Sequence, residues 1–480
     1  MSNPATFALY QNAMASTGWW GRMSCASDIL WTRAAGRSAI DAARASRCQA
    51  MIAFARARSA YYRHAWQALP QRELLLADLP IVTKAELMSH FDSWVTDPAV
   101  HRTDVEAFLA DRANIGQRYR GHYLVWKSSG TTGEHGIYVQ DETALATYDA
   151  LLMAQLQAVR LAGSCSWGML AHGGRAALIA AIDDHFASIA SWQHAHRDTP
   201  WLDARAFSIL TPLPQLVTEL NAYQPAFLAS YPTMLAQLAT EQAAGRLHIA
   251  PSCLWAGGEY LAPATSAAIE RDFDCALVNE YGASECMSIA HGCSAGWLHV
   301  NADWVVLEPV DRDYRPVPAG EPSHTVLLTN LANRVQPLVR YDLGDSVVAK
   351  VGPCECGSPL PAMRVAGRCD DVMSFRSADG RMVALLPLAL TTIVEDAANV
   401  HRFQLVQQAP DRLALRLESG DKPGRQQCWH AAASALRSYL ATQSLSNVQV
   451  VLDHKPPSVD AHSGKLRAAI VEPETRTHAH

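Results

Sequence analysis

Apolar positions in the first part of the chain recur at helical spacing. Between Ala35 and Leu69, Ile40, Ala43, Ala50, Ile52 and Phe54 sit among arginines, which predicts an Ala-rich helical lead-in. The Leu79-Pro80 step closes it, and Thr83 is placed to cap a helix over Lys84 to Phe91. The pattern then changes. A short apolar strand, Tyr123 to Val125, runs into a segment of Ser, Thr and Gly, followed by a second strand (Ile137 to Val139) and a helix from about Glu142 to Arg160. Further on, β-like runs at Trp167 to Ala171, Ala226 to Ser230, Cys253 to Ala256 and Ala276 to Glu280 alternate with amphipathic helices at Thr233 to Glu241 and Pro263 to Asp272. Such alternation predicts an α/β fold with a parallel sheet whose working loops lie at the carboxyl ends of the strands.

From Leu298 to Val351 the runs become strand-rich (Trp304 to Glu308, Thr325 to Thr329, Val347 to Val351), predicting a β subdomain over about 298–366. After a polar boundary at Gly367 to Asp371 the pattern restarts. It reads as a strand (Val372 to Phe375), an Asp379-Gly380 turn, a helix near Leu385 to Ala397, and a strand pair (Phe403 to Gln407, Leu413 to Leu417). A helix near Gln426 to Leu440 and a strand near Val448 to Leu452 complete it. The expected organisation is an N-terminal domain over 1–368, with its helical lead-in over 1–120, and a small α+β domain over 369–480.

Composition narrows the function without naming it. Of 480 residues, 49% are apolar and 18% charged, as in ordinary globular chains, and the formal charge of −6 offers no basic field for nucleic acid or an anionic bilayer. No apolar run is long enough to span a membrane, so a cytoplasmic setting is the expectation. The eleven cysteines then read as reduced thiols, with metal ligation the alternative.

Four segments carry chemistry. Ser128-Ser129-Gly130-Thr131-Thr132-Gly133 combines glycines, which let backbone N–H groups approach an anion, with hydroxyl donors, as a polyphosphate requires. It is not a Walker A loop, since no Lys follows Gly133. Tyr281-Gly282-Ala283-Ser284-Glu285 ends an apolar strand: a Tyr face can stack on a purine, and the carboxylate beyond it can hold Mg²⁺. Cys286 stands where a nucleophile elbow needs Gly. Tyr341-Asp342-Leu343-Gly344-Asp345, with Gly367-Arg368-Cys369-Asp370-Asp371, offers an Asp for ribose hydroxyls and an Arg for ribose or phosphate. Ser463-Gly464-Lys465-Leu466-Arg467 presents a cation after a Gly turn. Singly, each segment is equally a turn, a packed aromatic or a solvated charge.

Their order resembles the adenylate-forming superfamily of acyl-CoA synthetases, luciferases and peptide-synthetase adenylation domains. Ala256-Gly257-Gly258-Glu259 and Leu79-Pro80-Ile81-Val82-Thr83-Lys84 are most similar to its phenylacetate-CoA ligase branch, and the likeness runs from about Tyr61 to Arg467. The resemblance implies ATP-dependent activation of a small-molecule carboxylic acid, aromatic or otherwise hydrophobic, and transfer of the acyl group to coenzyme A. It implies that Ser128 to Gly133 close over the β- and γ-phosphates, that Glu285 holds Mg²⁺, and that Tyr281, Gly282 and Gly257 to Glu259 line the adenine pocket. Asp345 and Arg368 would bind ribose, Asp370 would be the hinge of a mobile C-terminal lid, and Lys465 would join the substrate carboxylate to the α-phosphate.

The segment Val372 to Pro387 departs from the branch, which continues as Arg-Gly-x-Asn-x-Phe-Pro. An amine acceptor giving an amide, or a carrier-protein thiol, is therefore the alternative. A nucleotide-binding protein with a decayed site is a third reading, opposed by the joint retention of Glu285, Asp345, Asp370 and Lys465. Cys293, His299, Cys354 and Cys356 make a candidate closed Cys₃His zinc site, with His291 and Cys286 as alternative ligands; some members of the branch carry zinc at this pair of segments. A homodimer is compatible with all of these readings.

Overall fold

The structure is a computed structural model that describes residues 19–70, 74–128, 135–161, 174–198, 203–209, 211–368, 373–385, 387–400, 402–418, 422–458 and 466–472. It is an α/β fold built on one large sheet. The lead-in is helical, with Trp19–Ala34, Arg37–Arg58 and Ala60–Ala65 followed by Lys84–Ser89, Phe91–Trp94 and Arg102–Ala110. Thr83 caps as expected, its Oγ1 accepting from the Glu86 N–H at 3.4 Å. The expected helix to Phe91 is broken at His90. There the Ser89 hydroxyl and His90 Nδ1 both reach the Glu86 carbonyl, at 2.8 and 3.0 Å, and compete with the backbone ladder.

A first sheet comprises β1 (Arg118–Tyr119), β2 (Tyr123–Lys127) and β3 (Ile137–Gln140), all antiparallel. The large sheet takes β4 (Ala176–Ala180), β5 (Ala204–Ser208), β6 (Phe227–Ser230), β7 (Cys253–Gly257), β8 (Ala276–Ala283), β9 (Cys286–Gly292) and β10 (Leu298–Val300). Its order is β14-β15-β10-β9-β8-β7-β6-β4-β5, where β14 is Asp345–Ala349 and β15 is Ala362–Arg368. Strands β4 to β8 are mutually parallel. All five residues of β4 and four of five in β7 are buried, as expected of strands covered on both faces.

Besides Ala187–Asp198 between β4 and β5, the crossovers are the helices Leu213–Tyr223, Pro232–Ala243 and Pro263–Phe273. Two of them start at a proline, where the missing N–H costs nothing, and two end on left-handed Gln224 and Asp274. The chain moves outward from β4 to β5 and then returns past β4 to β6. The loops beyond β4 and β6 therefore flank a topological switch point.

The segment 298–366 is divided between two sheets. Strands β11 (Val305–Val310), β12 (Thr325–Asn330) and β13 (Leu338–Asp342) form their own antiparallel sheet, whereas β10, β14 and β15 extend the large one. Val82 of the lead-in pairs beside β13, donating to the Arg340 carbonyl at 3.1 Å and accepting from the Asp342 N–H at 2.9 Å.

Beyond the boundary lie the hairpin β16 (Met373–Arg376) and β17 (Met382–Leu385) and a sheet ordered β20-β19-β18-β21. Its strands are β18 (Phe403–Ala409), β19 (Arg412–Leu417), β20 (Gln449–Asp453) and β21 (Ala469–Val471). The helices Pro387–Ala398 and Lys422–Thr442 cover it, and the apolar cluster they close draws only on residues from Met373 onward. The other apolar clusters draw on no buried residue beyond Met363, so the C-terminal part has a core of its own. Among the described residues, no helix is long and apolar enough to cross a membrane.

Candidate active site

Of the residues singled out by sequence, Gly257, Tyr281 and Gly282 lie at the carboxyl ends of β7 and β8, with Gly258, Glu259 and Glu285 just beyond them. Gly282 sits in a bulge where β8 turns into β9, and a Cβ on it would collide with the Met287 carbonyl oxygen. Only glycine fits so close a backbone approach. The bulge carries Tyr281 and Glu285 to the sheet's edge. The Tyr281 hydroxyl donates to Asp345 Oδ2 at 2.6 Å, joining the Tyr-Gly motif to the start of β14. Asp345 is itself paired in register with Arg368 of β15.

Glu285 is held by two phenols. Tyr138 of β3 and Tyr341 of β13 both donate to its Oε1, at 2.7 and 2.9 Å. The Tyr138 phenol is pushed far above its ordinary range by burial, with the Glu285 carboxylate adding to the effect, so it remains a donor. Among the described residues only Oε1 is engaged, which leaves Oε2 to a hard cation. Trp126 of β2 fixes the neighbouring backbone, its Nε1 donating to the Ser284 carbonyl at 2.8 Å. Gly136 makes room for this arrangement, since a Cβ there would meet the Tyr138 ring and hydroxyl at 2.5–2.7 Å.

Ser128 and Gly136 pin together the two ends of the Ser/Thr/Gly segment. The Ser128 N–H donates to the Gly136 carbonyl at 2.9 Å, and the Gly136 N–H donates to Ser128 Oγ at 2.8 Å. Ser129 to Gly133, the expected hinge Asp370 and Lys465 lie outside the described residues.

Gly257 ends β7, and Gly258 and Glu259 follow it. Both Glu259 carboxylate oxygens are engaged by protein donors. Oε2 accepts from the N–H and hydroxyl of Thr233 at 3.2 and 2.7 Å, in the first turn of the helix Pro232–Ala243, where a negative charge suits the helix dipole. Oε1 accepts from the Leu466 N–H at 2.9 Å. The residue that follows Lys465 in sequence is thus seated against the β7 loop.

Sequence reasoning missed Tyr138 and the hydroxyl role of Tyr341. The available signal was the strand register after the Gly-rich segment, in which Tyr138 stands opposite Trp126.

The expected metal ligands also converge. The ligand atoms of Cys293, His299, Cys354 and Cys356 lie within 4.8 Å of one another, with Cys293 Sγ to Cys354 Sγ at 3.8 Å and His299 Nε2 to Cys356 Sγ at 3.1 Å. His299 Nδ1 lies 3.0 Å from the Leu360 carbonyl, the second-shell contact that fixes a ligating imidazole. The alternative ligands Cys286 and His291 are not members of this group.

The fold is similar to that of a solved CoA ligase. The crystal structure of 2-hydroxyisobutyryl-CoA ligase, in the postadenylation state with R3-HIB-AMP, superposes with a TM-score of 0.64 at 20% identity over 91% of this chain and 90% of that one. Against the same enzyme in an open conformation with 2-HIB-AMP and CoA the score is 0.54 at 20% identity, covering 90% of this chain and 91% of that one. In its thioesterification state it is 0.51 at 20% identity, covering 90% and 89%. No protein-family model and no curated protein matches the chain.

Proposed function

We propose that the protein is an AMP-forming acid ligase of the phenylacetate-CoA ligase type. It joins ATP and a hydrophobic or aromatic carboxylic acid into an acyl adenylate and pyrophosphate, then passes the acyl group to coenzyme A. The observation that carries this reading is Glu285, oriented by two tyrosine hydroxyls through one oxygen, with no partner among the described residues on the other, beside the joined Tyr281–Asp345 pair. The acyl-AMP and CoA bound in the structures of 2-hydroxyisobutyryl-CoA ligase support it through the shared fold.

Attack of a carboxylate on the α-phosphate is a displacement between anions, so the protein must position the reactants and offset charge rather than abstract a proton. Glu285 supplies the hard oxygen suited to Mg²⁺, which when bound neutralises the phosphates. Lys465 bridges the substrate carboxylate and the α-phosphate, Ser128 to Gly133 wrap the outer phosphates, and Asp345 with Arg368 takes the ribose hydroxyls. Asp370 is the pivot on which the C-terminal part moves between the two half-reactions. The Leu466–Glu259 hydrogen bond fits the adenylation half-reaction, since it brings the sequence neighbour of Lys465 to the β7 loop.

Cys293, His299, Cys354 and Cys356 would hold a structural zinc ion. The donor set is soft and complete, and the 3.8 Å sulfur separation is the edge expected of a tetrahedron with Zn–S near ~2.3 Å. It staples the β9–β10 turn to the β14–β15 connection.

Mass spectrometry of products, with ATP, a panel of acids, and coenzyme A or simple amines, tests the acceptor. Acyl-CoA and AMP are expected. An amide, or an adenylate that reaches only a carrier-protein thiol, would replace coenzyme A as the acceptor.

A further inference from the structure

Glu280, the residue before Tyr281, points to the opposite face of β8 by strand alternation. On that face its neighbour is Trp255, one member of an apolar cluster that also holds Leu178, Tyr231 and Val278. Its carboxylate accepts from Trp255 Nε1 at 3.0 Å and from the Ser288 hydroxyl. No described cation faces it, and burial pushes its pKa up to about 7. A half-buried carboxylate held beside the Trp255 indole, with no positive partner among the described residues, is costly to a fold that gains nothing else from it.

A second, independent feature lies beside it. Gln155, on the helix Glu142–Leu161, is buried and its Oε1 has no hydrogen-bond partner among the described residues, while its Nε2 reaches Ser288 Oγ at 3.4 Å. Leu152 and Leu156 of the same helix pack on the Trp255 layer. One orphaned acceptor and one carboxylate without a cationic partner among the described residues thus share the Ser288 hydroxyl, beside the strand that carries Tyr281.

We propose that Glu280 and the Gln155 carbonyl form a specificity subsite of the acyl pocket, reading a hydrogen-bond donor, hydroxyl or ammonium, on an otherwise hydrophobic acid. This rests on the adenylation reading above and narrows its substrate class. The Trp255 layer accommodates the carbon skeleton, and the two acceptors select the polar group. A site that must leave a carboxylate unpaired rejects the analogue lacking the donor far more strongly than a purely apolar pocket rejects an extra methylene.

The test is acid-dependent ATP–pyrophosphate exchange by the full chain with matched acids. One set is hexanoic, 6-hydroxyhexanoic and 6-aminohexanoic acids with their shorter homologues. The other is phenylacetic, 4-hydroxyphenylacetic and 4-(aminomethyl)phenylacetic acids. The wild type is expected to favour the best donor-bearing acid over its plain counterpart by about 100-fold or more in kcat/KM. Glu280→Gln, and separately Gln155→Met as the variant that leaves the carboxylate in place, are each expected to lower that ratio about tenfold or more. The hydroxy and amino arms tell which donor is read. A wild-type preference for plain acids throughout, or variants that lower all acids in proportion, would overturn the subsite. Failure of every acid to promote exchange would instead overturn the adenylation reading, and the subsite with it.

Discussion

Replacing Tyr138 by Phe removes one hydroxyl and keeps the buried ring, so it isolates the orientation of Glu285. In the wild type two phenols donate to Oε1, at 2.7 and 2.9 Å, and their oxygens lie 3.4 Å apart. A hydrogen bond to an ionised acceptor contributes roughly 1.5–3 kcal/mol. Tyr341 still holds the carboxylate in the variant, which places the loss at the low end, about 1.5 kcal/mol, equivalent to about a tenfold change in an equilibrium constant. The Mg²⁺ concentration giving half-maximal pyrophosphate exchange should therefore rise about tenfold in Tyr138→Phe, and further in the double variant with Tyr341→Phe. The maximal rate at saturating Mg²⁺ should stay within about threefold, because the transition-state contacts of the bound cation are restored. Titration calorimetry of Mn²⁺ with the ATP-loaded protein should show the same weakening. An unchanged metal dependence, or a loss of rate equal at every Mg²⁺ concentration, would refute the idea that these phenols orient a cation-binding carboxylate.

Gly282→Ala forces a side chain against the Met287 carbonyl and should cost about 1–3 kcal/mol in denaturant unfolding; wild-type stability would show that the bulge relaxes freely. Purified protein should carry one zinc per chain by elemental analysis. Cys354→Ser should lose the metal and unfold about 5 °C lower or more, whereas undiminished metal content would remove these four ligands from consideration. Glu280 has a folded pKa of about 7, above its unfolded value, because burial disfavours its charge. Its ionisation therefore opposes folding progressively as pH rises from about 4.5 through 7, by on the order of 3 kcal/mol at most. Glu280→Gln should be relatively more stable than wild type at pH 8 than at pH 5 in thermal scans; parallel stability profiles would contradict the burial argument.

What could be read from the chain follows the range of the forces involved. Strands β6 and β7 were legible because strands buried on both faces are continuous apolar runs bounded by turn residues. Strand β4, Ala176–Ala180, is as deeply buried but escaped notice, since Ala-Ala-Leu-Ile-Ala carries no β-branched signature beyond one Ile. Strand β21 was missed because its three residues are extended only by parallel pairing with β18. At the site, Glu285, Tyr281 and Asp345 were visible through local motifs, and the Cys/His ligands through short spacings. The Tyr138 clamp, the engagement of Glu259 by Thr233 and Leu466, and the Gln155–Ser288 contact join residues 26 to 207 positions apart, and no local pattern encodes such contacts. Strands β10, β14 and β15 have the alternation of any antiparallel strand, so nothing local told that they would extend the large sheet rather than join β11 to β13.

The central claim is that this chain adenylates a carboxylic acid with Lys465 at the reacting centre. The most direct measurement is acid-dependent exchange of labelled pyrophosphate into ATP by the wild type and by Lys465→Ala. The account predicts exchange that requires both the acid and Mg²⁺, reduced on the order of 100-fold or more in the variant while ATP still binds. Exchange that proceeds without any acid, or that survives intact in Lys465→Ala, would contradict it.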